Sequence, residues 1–226
     1  MTRALPWLLA IVLVACAHPG APVAASAPAP HRYLVPEDVE RLLVDGAAFA
    51  TFARPLRRDL EADLTRGAPL DRATRRDRLF DLALLDALDG DWDGAVARLD
   101  RIAAEEPDAT ARIMTGLTIR VWADAHHAGG GTRAAFAAAL EQRVTAMPYD
   151  AVREPFAALR EMGRVFSAAY CQQLIQEYAG AAAARGALSL EQASAVLFQR
   201  YVVVELVPVG PVITEVMGRV MAAHGD

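Results

Sequence analysis

The chain has 226 residues, a formal net charge of -5 and an apolar fraction of 54%, enough to build a proper hydrophobic core in one ordinary domain. All 23 basic residues are Arg, with no Lys and no Asn; the AAA/AAG and AAU/AAC codons vanish together in a GC-rich genome, so the Arg content carries little functional meaning. Acidic and basic residues interleave along the chain, which excludes the continuous basic face that nucleic-acid binding requires.

The N-terminus comes first. Met1-Thr2-Arg3 carries one positive side chain, and Ala4 to Ala17 is uncharged and almost wholly apolar, the pattern of an export signal. A permanent membrane span needs about 20 apolar residues, and this run stops at His18-Pro19-Gly20. It closes on Leu13-Val14-Ala15-Cys16, which resembles the lipobox of bacterial lipoprotein signals. The resemblance covers the export signal only. It implies cleavage after residue 15, a diacylglyceryl group on Cys16 and acylation of its new amine, and several acyl chains together give stable membrane anchoring. Ala17 is not the Asp that retains lipoproteins in the inner membrane of enteric-type bacteria, so the resemblance implies the outer membrane. The alternative is an A-x-A site at Ala15-Cys16-Ala17 that releases a soluble exported protein. Residues 16–32 then form a tether whose Ala/Pro stretch, uncharged from Ala17 to His31, cannot bury a core, and the domain occupies residues 33–226.

Beyond the tether the apolar spacing is helical almost throughout. Pro36-Glu37-Asp38 starts a helix that Gly46 stops or kinks. A second runs from Ala47 to Arg66, bent or broken at Pro55 and ended by Gly67. A third spans Asp71 to Leu88, a fourth Trp92 to Glu106 before Pro107, and a fifth Ala109 to Ala128 before Gly129-Gly130-Gly131. Thr132 caps a helix with Phe136, Leu140, Val144 and Met147 on one face, closed by Pro148. Phe166, Tyr170, Leu174 and Tyr178 mark another. Ser189-Leu190-Glu191-Gln192 is a capping box opening a helix to about Val207, and Pro208 with Gly210 breaks it before a last helix. Val202-Val203-Val204 has strand propensity, but Val196, Leu197, Tyr201 and Val204 keep helical spacing. The fold class is all-α, with antiparallel helix hairpins stacked as a solenoid or bundle.

One stretch supports two readings. In "LDGDWDGAVARLD", residues 88–100, Asp89, Asp91, Asp93, Gly94, Val96 and Asp100 fall at the ligand, turn and apolar positions of a calcium loop. Against this, Trp92, Ala95, Val96, Leu99, Ile102 and Ala103 share one helix face that begins inside the supposed loop, and a helix through Asp93 to Asp100 cannot wrap an ion. The same stretch resembles the turn and second helix of a tetratricopeptide repeat. In that resemblance Leu79, Leu82 and Ala83 take the first helix's signature positions, Gly90-Asp91-Trp92 the turn, and Ala95, Leu99 and Pro107 the small, large and terminating positions. Asp86 departs from it at a site that is usually aromatic, and Ile102 at one that is usually Ala.

Other candidates for chemistry are few. Asp124 and His127 share a helix face at i, i+3, as metal ligands can, but no third ligand is identifiable. His126 lies between them in sequence. Cys171 is the one thiol left if Cys16 is lipidated, and reads as a small buried residue. Gly129 to Gly131 could offer backbone N–H groups to an anion at the next helix, or simply link two helices. Eight Arg between Arg54 and Arg78 alternate with acids, as on a solvated face with i, i+4 pairs. No metalloprotease, hydrolase-elbow, phosphate-loop or dinucleotide signature occurs. The expected protein is therefore a membrane-anchored, non-enzymatic lipoprotein without cofactor or metal, facing the periplasm and binding an envelope protein or peptide. A lipid or small-molecule carrier is the alternative, and a calcium-dependent module using Asp89 to Asp100 comes after it.

Overall fold

A computed structural model describes residues 41–66, 70–105, 113–151, 153 and 189–225. The export signal with Cys16, the tether, the start at Pro36, the stops at Gly67 and Pro107, and the segment carrying Cys171 and the Phe166 to Tyr178 face lie outside them. Among the described residues the chain is helical and no strand forms, which establishes the all-α class. A helical turn at residues 41–44 precedes α1 (Gly46–Thr65), α2 (Arg72–Leu88), α3 (Trp92–Glu105), α4 (Ile113–Gly129), α5 (Arg133–Ala146), α6 (Leu190–Tyr201) and α7 (Gly210–Ala223).

Local side-chain chemistry sets most boundaries. The Asp45 carboxylate accepts from the N–H groups of Ala47 and Ala48 at 2.8 and 3.1 Å, so the break expected at Gly46 falls there and Gly46 opens α1. Asp71 caps α2 by accepting from the Thr74 N–H at 2.9 Å, and Thr132 caps α5 from the Ala135 N–H at 3.1 Å. Ser189 and Gln192 complete the reciprocal capping box of α6, with bonds of 2.9 and 3.2 Å. Each such cap satisfies orphan donors of a first turn and contributes about 1 kcal/mol.

Two prolines behave differently from the sequence expectation. α1 continues through Pro55 without breaking; its buried row of Phe49, Ala53, Leu56 and Leu60 lies on both sides of the proline, and packing of that row outweighs one lost backbone bond. Pro208 and Gly210 do not end the C-terminal helix either, because Leu190–Ala223 is one continuous helical run. Its middle widens into a π turn, Val202–Leu206, and tightens into a 3-10 turn, Val207–Val209. The Val207 N–H reaches back to the Val202 carbonyl. This local change of pitch accommodates a residue that lacks an N–H and would collide with the carbonyl of an α turn. The helical reading of Val202 to Val204 holds, in π form.

Adjacent helices pack in sequence, α1 on α2, α2 on α3, α3 on α4, α4 on α5, and α7 returns to α5. α6 adds a contact that chain order does not suggest, since it lies against both α2 and α1. As a result every residue of α2 from Arg78 to Ala87 is buried. An open solenoid would leave one side of that helix as a groove; here α6 covers it, through Ser194 donating to Asp81 at 2.5 Å and Arg78 to Glu191 at 3.2 Å. Around α2 the architecture is that of a bundle. Leu82, Ala83, Leu84 and Leu85 have no exposed surface, and each buried leucine stabilises the fold by roughly 1.5–3 kcal/mol relative to an exposed one. Farther along, the Thr118 and Tyr201 hydroxyls meet at 2.8 Å in the core between α4 and α6. Burial pushes the Tyr201 phenol far above its usual pKa, so it stays neutral.

Candidate functional site

The aspartate-rich stretch forms the turn of the α2–α3 hairpin. Asp89 ends α2, and Gly90 takes a φ of +79°, the left-handed conformation that closes a helix and favours glycine. The Gly90 N–H donates to Ala87 and the Asp91 N–H to Asp86, at 3.0 and 2.8 Å, satisfying the last carbonyls of α2. Asp91 then opens α3, its carboxylate accepting from the Gly94 N–H at 3.0 Å. Gly94 sits in helix, not in the sharp turn that a calcium loop requires. A Cβ there would lie 2.3 Å from the Asp91 carboxylate, so the glycine makes room for the cap.

The four aspartates diverge to different neighbours. Asp89 pairs with Arg57 of α1 at 2.6 Å, Asp91 caps α3, Asp93 meets His127 of α4 at 3.1 Å, and Asp100 meets Arg120 of α4 at 2.7 Å. α3 runs unbroken from Trp92 through Asp100, so Asp93 and Asp100 stand along a helix, while Asp89 and Asp91 belong to the turn before it. Leu79, Leu82, Ala83, Ala95 and Leu99, the positions shared with the tetratricopeptide pattern, are all buried in the hairpin.

The departure at Asp86 has a specific physical cause. Its carboxylate, 5% exposed, is bound on one oxygen by Arg57 of α1 and on the other by Arg98 of α3. A buried carboxylate is tolerated when both oxygens are bonded to opposite charge. Burial lowers the Arg57 pKa, but its bonds to Asp86 and Asp89 outweigh that and raise it. Three helices are thus joined through one side chain where an aromatic ring would only fill space.

Beside this junction lies an open recess of about 350 Å³. α2 contributes Leu79 and Asp86, the turn contributes Asp91, and α3 contributes Gly94, Ala97, Arg98 and Arg101. The α3 residues recur at i, i+3, i+4 and i+7, which places them on one stripe. Its first two members are a glycine and an alanine, which leave the space, and the two arginines beyond them supply hydrogen-bond donors. Arg101 also pairs with Glu105 at 3.4 Å, and Glu105 with Arg75 at 2.9 Å; the Arg75 bond, followed by Arg101, holds the Glu105 carboxyl below its usual range.

The remaining sequence candidates are drawn apart. Asp124 is held by Arg143 of α5, at 2.9 Å through Nη2, while His127 turns to Asp93; the two do not converge on a shared point, and no group of three or more metal-ligating side chains gathers among the described residues. His126 stacks on Trp92 with ring centroids 5.3 Å apart, beside Trp122. The N–H groups of Gly130 and Gly131 donate to the His126 and Ala125 carbonyls, closing α4, which commits them to the turn rather than to an anion. The arginine-rich segment is less of a solvated face than its sequence suggests. Arg57 and Arg75 reach other helices, and Arg78, 8% exposed, lies between Asp63 at 3.3 Å and Glu191.

A second electrostatic feature, at the C-terminal helix, has no counterpart among the motifs legible in the sequence. Arg200 donates to the carbonyls of Leu42 and Leu43, ending the 41–44 turn, and lies 5.3 Å above the Phe49 ring. Burial raises the nearby Glu205 carboxyl to about 6, with Arg200 opposing the shift. No family model matches the chain, and neither the curated proteins nor the solved structures provide a match.

Proposed function

We propose that this chain is an exported bacterial lipoprotein, held at the outer membrane by lipid on Cys16, whose helical domain binds an envelope protein or peptide and performs no catalysis. The anchor is supported by Leu13-Val14-Ala15-Cys16 at the end of a short apolar run. The binding reading is supported by one observation above others, the open recess on the α2–α3 hairpin. Its lining mixes apolar and small residues, Leu79, Gly94 and Ala97, with charged ones, Asp86, Asp91, Arg98 and Arg101, which suits the side chains of a protein partner; a carrier for lipid would need an enclosed apolar cavity instead. The arginines there are positioned before any partner arrives, which lowers the ordering cost of binding.

Two experiments test this reading separately. Growth with a fatty-acid analogue should label the wild-type chain and leave Cys16→Ser unlabelled; label persisting in the variant rejects Cys16 as the site. For binding, Ala97→Glu introduces bulk and charge into the recess from an exposed helix stripe. It should reduce recovery of the partner from solubilised envelope at least tenfold while the fold is kept. Undiminished recovery would place binding elsewhere on the domain.

A further inference from the structure

We draw no further inference here: the strongest candidate, the arginine-walled recess between α2 and α3, belongs to the site already described, and Asp86, Asp91, Arg98 and Arg101 each already have a partner within the chain, so nothing there singles out the chemistry of one ligand.

Discussion

Replacing Asp86 with Ala removes the carboxylate to which Arg57 and Arg98 both donate. Removing one member of a buried ion pair costs about 3–5 kcal/mol, because the charge left behind is stranded. The two arginines are 27% and 28% exposed, and Arg57 keeps Asp89, so water and that second aspartate recover part of the loss. The expected cost is about 2–3 kcal/mol, or roughly 5–10 °C in Tm for a domain of this size. Equilibrium denaturation in urea measures it. The Asp86→Ala/Arg98→Ala double variant should lose less than the sum of the single variants by about 1 kcal/mol, since each single change strands a charge that the double change removes. A loss below about 0.5 kcal/mol, the range of ordinary surface substitutions, or strict additivity would refute the view that Asp86 joins the three helices.

Other expectations follow from the same structure. Glu205 has a folded pKa raised from 4.5 to about 6, so its protonated form favours the fold; that contribution is complete below about pH 4.5 and is lost as pH rises through about 6. Glu205→Gln should therefore be more stable than wild type at pH 8 by about 1 kcal/mol, a figure reduced for partial solvent exposure, with the gap closing toward pH 4. A gap that does not change with pH would count against it. Gly131 has a φ of +73°, and a Cβ there would lie 2.2 Å from the His126 ring, so Gly131→Ala should cost at least about 1–3 kcal/mol, partly relieved by His126→Ala, in thermal melts. Thr118→Val leaves the buried Tyr201 hydroxyl unpaired and should cost about 1–3 kcal/mol; an unchanged denaturation midpoint would show that the hydroxyl finds another partner. Because α3 runs through Asp93 to Asp100, millimolar calcium or chelator should leave the Tm unchanged, and a rise of several degrees with calcium would reinstate the loop.

What the sequence revealed and what it concealed divide along physical lines. Caps at Asp71, Thr132 and Ser189 are legible because a capping side chain bonds to backbone within three residues of itself. The helical face from Trp92 to Ile102 is legible because periodicity is local too, and it decided between loop and hairpin. Asp86 could be recognised only as a misfit, since its partners lie 29 and 12 residues away. Asp124 and His127 shared a face by spacing, yet Arg143 and Asp93, from separate helices, drew them apart. The apolar run of "LFDLALLDAL", which covers every side of the helix and is interrupted only by Asp81 and Asp86, was the local clue that α2 is enclosed. The covering helix comes from the far end of the chain, and no local pattern announces it.

Photo-crosslinking in the intact envelope tests the binding reading most directly. A benzoylphenylalanine placed at Ala97, in the recess, should give a discrete adduct with a single envelope protein, while the same residue at exposed Ala138 on α5 should not. Adducts with lipid alone, or equal labelling from both positions, would contradict a partner seated on the α2–α3 hairpin.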